Sequence, residues 1–341
     1  MLLAPGADVR RRLMLLGPGA LFSRADAPLM GGVYFNVGHT GLDRPGHAAW
    51  VRHTGVRPIY FVHDLIPLTH PEYCRPGEPE KHLKRMKALV SLGSGIVANS
   101  HDTLVHLERF AARESGKAMA PSLVAPLGVA RVKQTLPKGT FAEVESRLPL
   151  RPYFVMLGTI EGRKNHLLIL NIWAEMARRL GASCPQLVII GQRGWECEQA
   201  VDMLERCAAI RGHVVELPRC DDAQLKAYMA GARALLFPSF VEGYGLPLVE
   251  ALSLGTPVIA SDLTVFRELA GEIPDYLSPL DGLGWAQLIE DYARPESATR
   301  AAQIGRMAGW ATPTWRAHFA RVDAWLAELG FTLPSGPTPN G

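Results

Sequence analysis

Long apolar runs are missing from this 341-residue chain. None approaches the roughly 18 consecutive apolar residues that a membrane-crossing helix needs, so no such helix is expected. Cysteine is scarce: Cys74, Cys184, Cys197, Cys207 and Cys220 are all there are. Their number is odd and their spacing wide, and neither a Cys-x-x-Cys nor a histidine pair at metal spacing occurs. A disulfide framework and a structural zinc are therefore not expected, and free thiols in a reducing cytoplasm are. No internal repeat is present, and no aromatic–basic interleaving of the kind that reads nucleic acid. The one low-complexity tract is a polar Pro/Gly tail at 334–341, expected to be disordered. Near the start, Arg10, Arg11 and Arg12 precede only four apolar residues before Gly17 and Pro18 break the run. That is too short for a secretory signal, so a short strand or helix with solvated arginines is expected there.

What is present is a globular composition, with 48% apolar and 20% charged residues. The length exceeds what one core usually supports, so two domains are expected. Charge is unevenly divided, with a net of +7 over residues 1–150 and −4 over the remainder. A basic half can be a solvated surface or can face an anionic acceptor at a membrane surface. The tract Lys81, His82, Lys84, Arg85 and Lys87, with Leu83, Met86, Leu89 and Val90 as its apolar side, fits ordinary amphipathic packing first. Peripheral membrane contact is its second reading.

Strand-like and helix-like segments alternate along most of the chain. Strands are expected at 32–37, 58–62, 95–99, 123–125, 153–157, 186–190, 214–217, 234–237 and 258–260. Helices are expected at 78–92, 167–180, 198–210 and 222–230, and residues 131–149 read as the linker. Such alternation implies parallel sheets covered by helices, which bind ligands beyond the carboxyl ends of their strands. Polar residues gather at those ends: His63-Asp64, Asn99-Ser100, Gly158-Thr159 and Gly191.

Residues 237–260 are the most informative stretch. A buried strand leads into a loop freed by Gly243 and Gly245, then a helix opened by Pro247 and closed by Gly255, then a second strand. Two carboxylates sit inside it. Glu242 lies in the loop, and Glu250 lies in a helix apolar nearly all round, where it needs donors. Two readings of Glu250 stand open on spacing alone: an ion pair with a neighbouring cation, or a carboxylate that accepts sugar or ribose hydroxyls. A second feature is residues 158–166, where Arg163 and Lys164 follow a glycine loop just before a helix. The helix field there disfavours cations, so an anion between them is expected, and a diphosphate would fit.

The run 237–260 resembles the signature of retaining, GT-B-fold glycosyltransferases of family 4 (glycosyl transferases group 1). Its Glu-x(7)-Glu pattern matches Glu242 and Glu250, and Ser239, Gly243, Tyr244, Gly245 and Leu246 fit around it. Tyr244 stands where the family usually has Phe. The resemblance covers about residues 30–330 and implies an α/β fold of GT-B type, two Rossmann-like parallel-sheet domains facing a cleft. It implies an acceptor-side domain at 1–148, a donor domain at 149–310, and a helix at 311–333 packing back toward the first domain. It implies a donor-diphosphate site at Gly158, Thr159, Arg163 and Lys164, a donor-sugar site at Glu242, Gly243, Tyr244, Gly245 and Leu246, and a ribose site at Glu250. His63-Asp64, in a His-Asp-Leu-Ile-Pro phrase, would face the cleft from the acceptor side. His63, Asp64 and Glu242 are thus the candidate catalytic residues: Asp64 would take the acceptor hydroxyl's proton or His63 would hydrogen-bond the donor sugar, and neither Glu242 nor Glu250 is a nucleophile on this reading. The family also opens with a strand and a glycine-rich loop that this N-terminus lacks in clear form. Gly31-Gly32 stands in for it on this reading, or the domain is shortened.

Neither cofactor nor metal is implied, since fixed cations serve the leaving group and no Asp-x-Asp occurs; Asp221-Asp222 reads as a helix cap. The implied partners are a nucleotide-sugar donor and a glycan or polyprenyl-pyrophosphate-linked acceptor, used in the cytoplasm, at the inner face of the cell membrane. Resemblance to O-antigen assembly enzymes points to GDP-mannose. A nucleotide-sugar epimerase of the same fold and a non-catalytic binding subunit are the alternatives.

Overall fold

The structure is a computed structural model that describes residues 31–115, 118–129 and 151–331. The expectations for residues 10–22, 131–149 and 334–341 lie outside the described residues. Two parallel sheets form. The first has four strands in the order β1 (Val33–Asn36), β2 (Arg57–Val62), β3 (Gly95–Ala98) and β4 (Ser122–Val124). The second has six: β5 (Tyr153–Leu157), β6 (Gln186–Ile190), β7 (Val214–Leu217), β8 (Leu235–Phe237), β9 (Val258–Ser261) and β10 (Asp275–Leu277). Their spatial order is β10-β9-β8-β5-β6-β7, with β5 and β8 adjacent at the centre. Strand order reverses beside β5, which is where such sheets open a crevice for ligands.

Alternation along each strand sorts the cores. On β2, Tyr60 and Val62 pack with Met86 and Leu89 of helix Glu78–Leu92. Ile59 and Phe61 point the other way, onto Val322, Trp325 and Leu326 of helix Trp315–Glu328, so the C-terminal helix covers the first sheet's second face. Each of these large side chains contributes on the order of 1.5–3 kcal/mol by burial. In the second sheet, Val155, Leu235 and Phe237 face helix Leu246–Ser253, while Phe154, Met156 and Leu236 face helix His166–Leu180.

The chain runs alongside itself where it crosses between the sheets: the Val129 amide donates to the Pro313 carbonyl at 3.1 Å. One sequence expectation is corrected. Gly31-Gly32 precede β1, at its amino end, so they cannot line a ligand crevice; the loop at its carboxyl end is Val37-Gly38-His39-Thr40-Gly41. The basic tract of helix Glu78–Leu92 is paired with carboxylates: Lys81 with Glu78, Arg85 with Asp43 and Glu78, Lys87 with Glu114. Those ion pairs fit ordinary packing.

Candidate active site

Two loops at the carboxyl ends of neighbouring strands build the centre of the site. After β5 the chain passes Gly158 and Thr159 and makes a tight turn at Gly162–Lys164. Asn165, with a φ of 57°, then starts helix His166–Leu180. The Asn165 amide donates to the carbonyls of Pro238 at 3.2 Å and Pro279 at 2.9 Å, tying this loop to the one after β8. Gly191, after β6, lies so close that a Cβ there would fall 2.0 Å from the Gly158 carbonyl oxygen. No other residue fits.

Between the loops lies an ionic cluster. The Glu242 carboxylate accepts from the Lys164 ammonium at 2.5 Å, the Arg163 guanidinium at 2.9 Å and the Ser239 hydroxyl at 2.8 Å. Arg163 also meets Glu161 at 2.7 Å. The anion expected between Arg163 and Lys164 is therefore the protein's own Glu242, from 78 residues further along the chain. Burial works to raise the Glu242 pKa, yet Lys164 and Arg163 outweigh it and hold the carboxyl below its usual range. Burial lifts Glu161 above its usual value in spite of Arg163. Burial also lowers Lys164, against the pull of Glu242. Two cations facing two carboxylates leave the cluster near neutrality, so an incoming anion must compete with Glu242 for the cations.

Glu250 is placed differently. It is half-buried rather than enclosed, and its carboxylate makes no ion pair among the described residues, so the first of its two readings finds no partner. Burial, then the nearby Asp222 carboxylate, raises its pKa; Lys226 only partly offsets them. The carboxylate borders a small cavity of about 100 Å³ shared with Val129, Asp222, Lys226 and Met229. A carboxylate left without a counter-ion here costs stability and gains partners only from outside. Glu250→Gln is accordingly expected to leave the melting temperature unchanged or higher. It should weaken nucleoside-diphosphate affinity about 10- to 100-fold, the worth of hydrogen bonds to a charged acceptor. Calorimetric titration beside a thermal melt checks both halves. A lower melting temperature with affinity intact would make Glu250 structural.

The loop after β2 of the first sheet meets the loop after β8 of the second directly. A Cβ on Gly243 would lie 2.6 Å from the Asp64 Cβ and 2.7 Å from the His63 carbonyl oxygen. Thr103 donates its hydroxyl to the Gly243 carbonyl at 3.1 Å, and the Asn99 amide holds the His63 carbonyl at 2.8 Å. His63 Nε2 donates to the Val37 carbonyl at 2.7 Å, which fixes its tautomer and leaves Nδ1 as an acceptor. Asp64 accepts from the Ile66 amide at 3.0 Å. Tyr244 donates its hydroxyl to the Leu127 carbonyl at 2.9 Å, so the departure from Phe gives the loop a bond to the crossing segment. Gly245, with a φ of 111°, opens helix Leu246–Ser253, and Leu246 is exposed at its start. On the outer side, both oxygens of Glu268 accept from the amides of His101 and Asp102, at 2.7 and 3.1 Å. One domain thereby caps helix His101–Ser115 of the other.

Sequence reasoning missed the company His63 keeps. His39 and His82 pack in an edge-on chain with it, His39 centred 5.5 Å from each. His39 has a φ of 56°, and burial, then the neighbouring His82 and His63, press its pKa down to about 3. Nothing in the spacing of 39, 63 and 82 signals this.

Comparison with known proteins follows the geometry. Residues 142–273 match the family model described as glycosyl transferases group 1. The serotype-specific mannosyltransferase WbdA of Escherichia coli is 28% identical over 263 residues, covering 72% of this chain and 32% of the relative. The O-antigen chain mannosyltransferase B of Escherichia coli is 33% identical over 135 residues, 40% of this chain and 35% of the relative. The chain thus spans about a third of the length of these relatives. Among solved structures, sucrose-phosphate synthase from Thermosynechococcus elongatus superposes with a TM-score of 0.65 at 18% identity. That match covers 91% of this chain and 76% of the other. An α,α-trehalose-phosphate synthase from Burkholderia xenovorans gives 0.67 at 12% identity, over 88% and 73%. At such identities the likeness is one of fold, and it is the GT-B fold. The residues that match the glycosyl transferases group 1 model wrap around the Glu242 cluster, and with two parallel sheets facing across it the chain has the GT-B fold.

Proposed function

We propose that the chain transfers mannose from GDP-mannose to a glycan or polyprenyl-pyrophosphate-linked acceptor in surface-polysaccharide assembly. Transfer would need no divalent metal and would retain the anomeric configuration. The sugar is taken from the mannosyltransferases that this chain resembles. The observation that carries the reaction class is the Glu242 cluster, held at the carboxyl ends of β5 and β8 against the His63-Asp64 corner.

A diphosphate entering beside Gly158 competes with Glu242 for Arg163 and Lys164. As the cations turn to the phosphates, Glu242 is released to accept donor-sugar hydroxyls, so one exchange of partners loads both subsites. Cations fixed near the leaving group stabilise the charge that grows there, usually the largest catalytic effect. Glu250 holds the ribose. On the acceptor side, Asp64 or His63 Nδ1 positions the attacking hydroxyl, and its proton passes to the leaving phosphate on the same face. Work in the cytoplasm, at the inner membrane surface, fits this acceptor class; among the described residues no helix is long and apolar enough to cross a membrane.

Activity in excess EDTA, with the anomeric coupling of the product read by NMR, tests metal independence and retention together. Full activity and an α-linked product are expected. Activity abolished by chelation and restored by manganese would overturn the role given to Arg163 and Lys164. Incubation with donor alone separates transfer from epimerisation, because an epimerase would convert the sugar without an acceptor.

A further inference from the structure

Beside the ionic cluster, with Glu161 common to both, lies a groove of about 380 Å³ that the proposed reaction does not use. Its base is polar and buried: Glu161, Asn165 and His166. Its rim carries Glu196, Glu198 and Phe240. His166 is only 3% exposed, and neither of its ring nitrogens has a hydrogen-bond partner. A buried imidazole with both nitrogens idle is rare, because each forfeits its hydration without return. Burial, then the charge of Lys164, pushes its pKa down to about 3, so at neutral pH it offers one donor and one acceptor.

The surroundings decide what such a pair can hold. Among the described residues, the unpaired charges that line the groove are the carboxylates Glu196 and Glu198, with no Lys or Arg among its lining residues, and these repel anions; Glu161 at the base is already paired with Arg163. The base is the first turn of helix His166–Leu180, whose field disfavours cations. No cluster of His, Cys, Asp and Glu among the described residues has the geometry for a metal ion. A neutral molecule rich in hydroxyls satisfies all three conditions, since each hydroxyl both donates to carboxylates and accepts from an imidazole N–H. The groove also opens beside aromatic rings that arrive from both domains. Tyr73 stacks on Phe240 with centroids 5.6 Å apart, and the Trp195 indole donates to the Tyr73 carbonyl at 3.2 Å. Tyr73 follows shortly after His63-Asp64, so the groove adjoins the acceptor side of the cleft.

We propose that this groove is a binding subsite for neutral sugar units of the acceptor glycan, with His166 at its base and Glu196 and Glu198 at its rim. The assignment to an acceptor rests on the transferase reading; the site itself does not. A subsite one step removed from the reaction centre would grip the growing chain and favour elongation over a first transfer.

Saturation-transfer NMR with α-1,2-mannotriose and maltotriose, in the absence of nucleotide, tests it. At least one trisaccharide is expected to receive saturation from the full-length protein. That signal should fall at least fivefold in Glu198→Gln, a rim change that leaves the core intact, and vanish in His166→Phe. The latter keeps the volume of a buried ring and removes its idle nitrogens, so its melting temperature should hold or rise. GDP affinity, measured in parallel, should be unchanged in Glu198→Gln. No saturation of either sugar by the wild type overturns the proposal, and so does a signal that persists undiminished in both variants. Competition of the sugar signal by inorganic phosphate would also overturn it. Failure of the wild type to bind GDP while sugar binding stands would sink the donor reading and leave the groove.

Discussion

Lys164→Ala is expected to be the most damaging single change in the domain of the six-stranded sheet. The ammonium is the nearest partner of a fully enclosed carboxylate, and removing it leaves Glu242 with only Arg163 and the Ser239 hydroxyl. Breaking a buried pair on one side costs about 3–5 kcal/mol, since the remaining charge is stranded. For a domain of this size that lowers the melting temperature by roughly 10 °C. Nucleoside-diphosphate affinity should fall as well, and more than affinity for the bare nucleoside. The double variant Lys164→Met with Glu242→Gln separates the two effects, because it removes both charges: stability should return while transfer stays lost. Equal melting temperatures for Lys164→Ala and the wild type would mean that Glu242 is solvated and the cluster is not built as described.

The same cluster sets a pH dependence whose sign is fixed. Glu242 has its pKa held below the usual carboxylate range in the folded protein. Its contribution is present above the unfolded value, ordinary for a glutamate, and is lost as pH falls through the lowered folded value. Glu161 works the other way: its raised value favours the protonated form, a gain that disappears as pH rises through it. Acid unfolding of the six-stranded domain should therefore shift to higher pH in Lys164→Ala, which removes the larger of the forces lowering Glu242.

Gly243→Ala is expected to cost activity without unfolding either domain. A single methyl there would meet the Asp64 Cβ at 2.6 Å and the His63 carbonyl at 2.7 Å, and both lie across the domain boundary on a short, fixed corner. No side chain can swing away, so the loops must part. A displacement of about 1 Å between donor and acceptor groups is enough for a loss of the order of 100-fold in kcat/KM. The melting temperature of the variant should stay within a few degrees of the wild type, because the clash is relieved by separating the domains. Wild-type turnover in Gly243→Ala would show that the contact of these loops plays no part in the reaction.

The central strands were legible because parallel strands buried on both faces read as continuous apolar runs. Tyr153–Leu157 and Gln186–Ile190 fall where the sequence places them. Helices Gly46–Thr54, Gly282–Ala293 and Ala298–Met307 were not read. The first contains no strong apolar period and begins at a Pro-Gly step, and the second opens with two glycines that resemble a loop. Glu242 and Glu250 were found from their spacing, yet their environments were not. Whether a carboxylate is clamped by two cations or borders a cavity depends on chain segments far away in sequence. The partnership of His166 with nothing at all is likewise a fact of packing, invisible in the run Lys164-Asn165-His166.

The bond from Glu268 to the first amides of helix His101–Ser115 has a kinetic meaning. Glu268 is exposed, so water replaces it at almost no enthalpic loss when the domains part, and the bond acts as a detent rather than a lock. A charge held at a helix end in solvent is worth roughly 0.3–1 kcal/mol at low ionic strength and less in salt. In the proposed transfer, cleft opening would be needed to release the spent nucleotide, and it should quicken by a factor of about two to five as salt rises. If release limits that reaction, moderate salt would speed it even as it weakens the donor's hold.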